Sequence, residues 1–138
     1  MRKEVVLCFI KINGKYLFFK RSSKVSYFHH LWSQIAGSLK NGEDPKARAS
    51  LELEEEANIN PDKILSLNKI SVYEQKDKLN NVLWIRHVFM VEIKKDTEIK
   101  IDWEHDSFNL FSYEEAVKLE MPPQTKQIFK RIISLSSF

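Results

Sequence analysis

The pattern of apolar positions predicts a series of strands interrupted by helices. Residues 4–12 (EVVLCFIKI) and 15–21 (KYLFFKR) are rich in β-branched and aromatic side chains, and Asn13-Gly14 between them is a strong hairpin turn. Residues 31–37 (LWSQIAG) form a short extended piece before a polar loop. The remaining runs of this kind predict strands at 66–76, 82–93, 97–102 and 108–111.

One long helix is predicted after the extended piece. Asp44 is a favourable N-cap, and Pro45 fits the first helical position, where its missing N–H has no helical partner to lose. We expect the helix to run to Ala57, because Asn58 tolerates the left-handed cap conformation and Pro61 prevents continuation.

Two further helices are predicted near the C-terminus. Ser112 to Glu115 form a capping box that opens a helix to about Leu119, and residues 124–133 form an amphipathic helix. The chain has no internal repeat, low-complexity segment or flexible linker. The order of elements therefore indicates a single α/β domain over residues 1–138, with helices packed on a mixed sheet.

Composition narrows the class of protein. The 138 residues are 43% hydrophobic and 30% charged, which is typical of a globular domain and too apolar for a disordered chain. The net charge of +3 suits a small anionic ligand and not the dense basic surface of a dedicated nucleic-acid binder. The single Cys8 cannot form an intrachain disulfide, and no apolar stretch approaches the ~20 residues of a membrane span. We therefore expect a soluble, cytoplasmic protein.

Residues 48–59 (RASLELEEEANI) place four glutamates in five positions of the long helix. Glu52, Glu55 and Glu56 share an arc of about 100° on one face, whereas Glu54 lies on the other side. Carboxylates this close destabilise one another unless they are protonated, paired or bound to a cation, and Mg²⁺ or Mn²⁺ prefers oxygen ligands of this kind. The alternative is a solvated acidic face that Lys and Arg side chains neutralise.

The stretch from Gly37 to Ile59 resembles the Nudix box, GX5EX7REUXEEXGU, in which U is a bulky aliphatic residue. The positions that match are Gly37, Glu43, Glu52, Leu53, Glu55, Glu56 and Ile59. The likeness continues into LWSQIAG before the box and EHDSFNLFSYEEA after it, so it covers nearly the whole chain. It implies a MutT-like hydrolase with the Nudix fold, an α/β architecture in which a mixed β-sheet is sandwiched between α-helices (α/β/α).

The resemblance also implies roles for the acids. Glu52, Glu55 and Glu56 should bind Mg²⁺ or Mn²⁺, together with the backbone carbonyl of Gly37. Glu104 matches an acid that binds metal or acts as a base in relatives. The alternative interpretation is that Glu104 is an ordinary loop glutamate. Glu52, Glu55 and Glu104 are therefore the predicted catalytic residues, with Glu52 or Glu104 taking the proton of the attacking water.

Substrate contacts are predicted on less specific grounds. Arg21, at a strand end, and Arg86 are candidates to bind phosphate oxygens, and Trp32 and Trp84 are candidates for the wall of a base pocket. Each has a plain alternative, which is a surface charge for the arginines and core packing for the tryptophans.

Two positions depart from the Nudix box. The arginine of the motif is Leu51 here, which removes the residue thought to hold the following glutamate in place. Arg48 lies one helical turn before Glu52 on the acidic face, and we hypothesise that it partly substitutes. The second glycine of the motif is Asn58, which is the next-best residue in a left-handed cap.

The functional expectation is a Mg²⁺-dependent hydrolase of a small-molecule nucleotide. It would cleave a pyrophosphate bond in a nucleoside triphosphate or a dinucleoside polyphosphate and release a nucleoside monophosphate. Leu51 favours an alternative, a catalytically weak Nudix-fold module that binds a nucleotide or RNA. No dedicated nucleic-acid binding is expected, and the strand edges leave a homodimer possible.

Overall fold

The computed structural model describes residues 1–136. The strands are β1 Arg2–Ile12, β2 Lys15–Arg21, β3 Trp32–Ser33, β4 Ile35–Ser38, β5 Ile64–Asp77, β6 Val82–Ile93 and β7 His105–Phe111. The helices are α1 Pro45–Ala57, α2 Tyr113–Ala116 and α3 Pro123–Ser136, with a 3₁₀ turn at Pro61–Lys63. None of the helices in this described part of the chain is long and apolar enough to cross a membrane.

Strand β1 lies at the centre of a mixed sheet of 7 strands. One of its edges pairs in parallel with β6 along its whole length, from Arg2 opposite Leu83 onward. Its other edge is divided, because residues 5–8 pair with β4 and residues 10–12 pair with β2. Strand β2 also pairs with β3 and β7, and β5 pairs with β6. The central strand thereby supports β4, which carries the first residue of the acidic motif.

Helix α1 covers one face of the sheet. Successive side chains of a strand point to opposite faces, and Val6, Cys8 and Ile10 of β1 all face α1. Ala49 and Leu53 of the helix complete this cluster and are fully buried. The buried Cys8 therefore has the core position expected for an apolar run.

Helices α2 and α3 cover the opposite face. Phe129 of α3 is fully buried, with its ring centroid 5.7 Å from that of Phe9 and 5.1 Å from that of Phe18. Ala116 of α2 and Ile132 of α3 belong to the same cluster. Helices thus lie on both sides of a mixed sheet, which confirms the predicted α/β/α architecture.

The predicted strand at 97–102 is wrong. Ile99 and Ile101 alternate as in a strand, but the segment runs across the end of α1 and packs on the core beside that helix. The Lys100 N–H donates to the Ala57 carbonyl oxygen at 3.1 Å, and the Asn58 side-chain amide donates to the Glu98 carbonyl oxygen at 3.0 Å. Backbone groups of Glu98 and Lys100 that could pair with a neighbouring strand are therefore bonded to the end of α1.

Strand β7 begins at His105, earlier than the predicted start at residue 108. The reason is its partner, because β7 pairs with β2 as far as Arg21, which lies opposite His105. The longer strand brings the preceding residue, Glu104, to the end of β2.

Candidate active site

Helix α1 carries the acidic motif, and both of its ends are held by the predicted capping residues. Asp44 Oδ2 accepts a hydrogen bond from the Ala47 N–H at 3.1 Å. Asn58 adopts the left-handed conformation with φ of 61°, and its N–H donates to the carbonyl oxygens of Glu54 and Leu53. Because Leu53 is buried against the sheet, the helix is oriented with Glu52 and Glu56 beside the core and Glu54 in solvent.

The side chain of Glu52 lies directly over Gly37 of β4. A Cβ atom at position 37 would overlap the Glu52 side chain, so a larger residue there would displace the Glu52 carboxyl group. The other side of Glu52 is held by Arg48, whose Nη1 donates to Glu52 Oε1 at 3.1 Å. Arg48 also donates to Glu43, from Nη2 at 2.6 Å and from Nε at 3.2 Å, and this ion pair holds the pKa of the Glu43 carboxyl below its ordinary value.

Glu56 is the most buried acid of the motif, with 6% of the residue exposed. Its Oε2 is buried and has no hydrogen-bond partner in the structure. Burial raises the pKa of the Glu56 carboxyl far above its ordinary value, and the neighbouring carboxylates of Glu104 and Glu52 raise it further. The same acids lie above Cys8, whose thiol pKa is raised by burial and then by Glu56 and Glu52. Three predicted site residues, Glu52, Glu56 and Glu104, therefore converge.

Glu104 reaches this cluster from a distant part of the sequence. Its carbonyl oxygen accepts a hydrogen bond from the Ser22 N–H at 2.9 Å, and its own N–H donates to Asp102 Oδ1 at 3.0 Å. These bonds fix the turn before β7 beside the end of β2. Glu55 stays outside the cluster, exposed on α1 at three residues from Glu52.

The donor set fits a hard divalent cation. All the converging side chains offer carboxylate oxygens, and the buried, unpartnered Glu56 Oε2 lies where a positive charge would be stabilising. Within residues 1–136, no three His, Cys, Asp or Glu side chains already stand in an arrangement that holds an ion. Glu52, Glu56 and Glu104 are the residues that would hold a cation here. Of the other two predicted ligands, Gly37 lies against the Glu52 side chain and Glu55 is exposed on α1.

Arg21 and Arg86 line one small cavity of about 150 Å³. Arg86 donates to the side-chain oxygens of Gln75 at 3.0 Å and Gln124 at 2.7 Å, and burial lowers the pKa of its guanidinium. Arg21 Nε donates to the Tyr27 carbonyl oxygen at 3.2 Å. Arg21 lies opposite His105, the residue that follows Glu104 in the sequence, and the residues that line the cavity include none of the three converging acids. The two predicted phosphate-binding residues are therefore brought together.

The tryptophans occupy other positions. Trp32 packs edge-on against Phe111, with ring centroids 5.1 Å apart, and does not line the cavity of Arg21 and Arg86. Trp84 lines a larger, open groove of about 730 Å³ together with Lys3 and Lys40. The guanidinium of Arg86 lies 5.6 Å from the centroid of the Trp84 ring, so this groove continues toward the small cavity.

Comparison with known proteins agrees with this arrangement of strands and helices. A family model described as the NUDIX domain matches residues 1–132. The chain belongs to the Nudix family. It is accordingly a Nudix pyrophosphohydrolase, and the predicted Nudix box at residues 37–59 lies within the matched residues. A search of curated protein sequences finds no significant match.

Solved Nudix structures share the fold at low sequence identity. A MutT protein from Methanosarcina mazei superposes with a TM-score of 0.80 at 19% identity, over 99% of this chain and 96% of the other. An Ap4A hydrolase from Caenorhabditis elegans gives 0.72 at 18% identity, over 99% and 98%. A bifunctional NMN adenylyltransferase/ADP-ribose pyrophosphatase from Francisella tularensis, in complex with AMP and a Mn ion, gives 0.77 at 20% identity, over 98% and 42%.

Sequence reasoning missed two residues next to the Nudix box. Ser33 and Gln34 are 4% and 7% exposed and line the cavity of the two arginines. Ser33 Oγ and Gln34 Oε1 are buried without a hydrogen-bond partner in the structure. The signal was present in the sequence, because two polar residues interrupt the otherwise apolar approach segment LWSQIAG.

Proposed function

We propose that this Nudix protein is a Mg²⁺- or Mn²⁺-dependent hydrolase of a nucleoside triphosphate or a dinucleoside polyphosphate. The observation that carries the proposal is the convergence of Glu52, Glu56 and Glu104. Arg21 and Arg86 share a separate cavity whose lining includes Ile128 of α3. A polyphosphate and a carboxylate cluster repel one another, so a divalent cation between them is needed for binding. When bound, it supplies charge neutralisation and Lewis-acid polarisation of the phosphate.

The arginines would bind the polyphosphate. Arg86 is held in place by two glutamines, so its guanidinium is oriented before the substrate arrives. Arg21 Nε donates to the Tyr27 carbonyl oxygen, and among residues 1–136 the terminal nitrogens of Arg21 are left for phosphate oxygens. The buried Ser33 hydroxyl and Gln34 amide in the same cavity offer donors and acceptors for the remaining polar atoms of the nucleotide.

The bond chemistry needs one proton acceptor. A water oxygen attacks a phosphorus atom, the bridging P–O bond breaks, and the water proton passes to a carboxylate. Glu52 is engaged by Arg48, so we assign the base to Glu104, which lies next to Arg21 of the phosphate cavity. The products are a nucleoside monophosphate and either pyrophosphate or, from a dinucleoside substrate, the remaining nucleoside polyphosphate.

A substrate panel with Mg²⁺ or Mn²⁺ tests the proposal. Nucleoside triphosphates, diadenosine polyphosphates, NADH and nucleotide sugars would be compared, with products identified by anion-exchange chromatography. Glu56→Gln should lose most of the activity, whereas Glu54→Gln should retain it, because only Glu56 lies in the converging acid cluster and Glu54 is exposed on α1. Hydrolysis that needs no metal, or equal rates for the two variants, would contradict the proposal.

The alternative, a catalytically weak nucleotide- or RNA-binding module, depended on the loss of the box arginine at Leu51. Arg48 makes a direct ion pair with Glu52, so the structure offers less support for a weakened site. Tight binding of a nucleotide without turnover, in the presence of Mg²⁺, would favour the alternative. A homodimer stays a prediction.

A further inference from the structure

Leu51 occupies the arginine position of the Nudix box and is exposed on α1. Its side chain is 39% exposed and packs on neither of the two core clusters of the described residues. A leucine here can neither donate a hydrogen bond to Glu52 nor neutralise its charge. Position 51 therefore cannot supply the contact with Glu52 that an arginine would make there.

Arg48 stands one helical turn before Glu52 and is 8% exposed, although arginine is rarely this buried. Its guanidinium joins two acids at once, with Nη2 at 2.6 Å from Glu43 Oε2 and Nη1 at 3.1 Å from Glu52 Oε1. A planar guanidinium has five donors in a fixed fork, so it can hold both carboxylates in defined orientations.

The ion pair is part of a longer chain of contacts. The Lys40 N–H donates to Glu43 Oε1 at 2.6 Å, which ties the loop after β4 to the Glu43–Arg48 pair. Glu52 in turn is confined between Arg48 and the backbone of Gly37. Its carboxyl group therefore has one oxygen engaged by Arg48 and lies close to Glu56, which is where the converging acids would hold a cation.

We propose that Arg48 is the positioning residue of this site and replaces the box arginine from a place one turn earlier on α1. The inference rests on the proposed metal-dependent function. Residues four apart lie on the same helix face, so a side chain at 48 reaches Glu52 along the helix surface. Arg48 orients Glu52 for the metal and touches neither substrate nor the reacting atoms.

The test compares Mn²⁺ binding and turnover in the wild type and four variants. Electron paramagnetic resonance gives the Kd of Mn²⁺ without substrate, and steady-state kinetics give kcat and KM separately. Arg48→Leu should weaken Mn²⁺ binding and lower kcat by about 10- to 100-fold, the usual cost of losing a residue that orients a metal ligand, with a smaller change in KM. Lys46→Leu is the matched control, because it removes an exposed cation from the same helix and should leave both quantities unchanged.

Two further variants keep the test decisive. Arg48→Lys retains the charge and much of the packing, but a single ammonium group cannot bridge both acids, so it should lose at least several-fold in Mn²⁺ affinity. The double variant Arg48→Leu/Leu51→Arg returns the arginine to the position of the motif and should recover Mn²⁺ affinity relative to Arg48→Leu.

The outcomes separate the two proposals. Wild-type Mn²⁺ affinity and kcat in Arg48→Leu overturn the positioning role while leaving the metal-dependent function intact. If Arg48→Leu does not fold, wild-type values in Arg48→Lys overturn it instead. A double variant no better than Arg48→Leu overturns the equivalence of positions 48 and 51. A wild-type protein that neither binds Mn²⁺ nor hydrolyses any substrate contradicts the proposed function itself.

Discussion

Glu56→Gln is expected to stabilise the metal-free protein and to abolish its stabilisation by Mg²⁺ or Mn²⁺. Glu56 is 6% exposed, has an unpartnered buried Oε2, and lies beside two other carboxylates. An ionised carboxylate in that place is destabilising without a cation, whereas an amide of the same shape carries no charge. The substitution therefore removes both the repulsion and the attraction for metal.

The direction of the pH dependence follows from the raised pKa. Above the ordinary value of 4.5, Glu56 is ionised in the unfolded chain but still protonated in the folded protein. The native state then binds more protons, so the metal-free protein loses stability as the pH rises through this window, by up to about 1.4 kcal/mol per pH unit. The contribution of Glu56 to the free energy of unfolding is therefore complete only below 4.5, the pKa of this carboxyl group in the unfolded chain.

A bound cation stabilises the ionised Glu56 carboxylate and so offsets this loss of stability at higher pH. At a concentration 100-fold above its Kd, a ligand specific for the folded state stabilises it by about 2.7 kcal/mol. In a domain of this size that corresponds to a rise in Tm of roughly 10 °C. The wild type should show this rise with Mn²⁺ near neutral pH, and Glu56→Gln should show almost none.

Differential scanning fluorimetry between pH 5 and 8, with EDTA or with Mn²⁺, measures all of these quantities. Glu54→Gln is the control, because it removes a solvent-exposed charge from the same helix and should behave as the wild type. The reasoning is refuted if Glu56→Gln keeps the Mn²⁺-induced rise in Tm, or if the stability of metal-free Glu56→Gln relative to the metal-free wild type does not increase as the pH rises through this range.

Three other predictions concern the acids, the arginines and the helix cap. Glu104→Gln should lower kcat by about 10²- to 10⁴-fold, as expected for loss of a general base, and a change confined to KM would exclude that role. Arg86→Ala and Arg21→Ala should each raise KM by about 10- to 100-fold, since charge-assisted hydrogen bonds contribute about 1.5–3 kcal/mol, and unchanged kinetics would place the phosphates elsewhere. Asn58→Ala should destabilise the protein by about 1–2 kcal/mol in urea unfolding, because a Cβ-bearing residue other than Asn is strained at φ of 61°; a neutral result would show that the cap contributes little.

Local signals in the sequence predicted most of the individual elements. The Asn13-Gly14 turn, the Asp44 cap and the Ser112 capping box all lie where short-range patterns put them. The alternation of Ile99 and Ile101 wrongly predicted a strand, because it is equally compatible with a segment that packs on a helix end. Periodicity reports which side chains are buried and does not report which backbone partner is used.

The site was predictable to the extent that it lies on one helix. The spacing of Glu52 and Glu56 follows from helical geometry, and the resemblance to the Nudix box indicated the loop at Gly37. The approach of Glu104 depends on the pairing of β7 with β2, which no local pattern reveals. The ion pairs of Arg48 with both Glu43 and Glu52 could not be predicted from the sequence. Its spacing indicated only that Arg48 shares a helix face with Glu52, and the distance between the helix and the loop of Glu43 is known only from the structure.

The parallel pairing of β1 with β6 has a consequence for how the protein acquires its activity. Arg2 lies opposite Leu83 and Ile12 opposite Ile93, so the central pair of the sheet joins segments from the two halves of the chain. Contacts between such distant segments form slowly, because a long loop must close before any of them is made. On a ribosome, the Nudix box emerges well before β6, and Glu104 emerges later still. Catalytic competence should therefore arise only after β6 and Glu104 have been synthesised, and a chain truncated before β6 should contain the acidic residues of α1 but have no hydrolase activity.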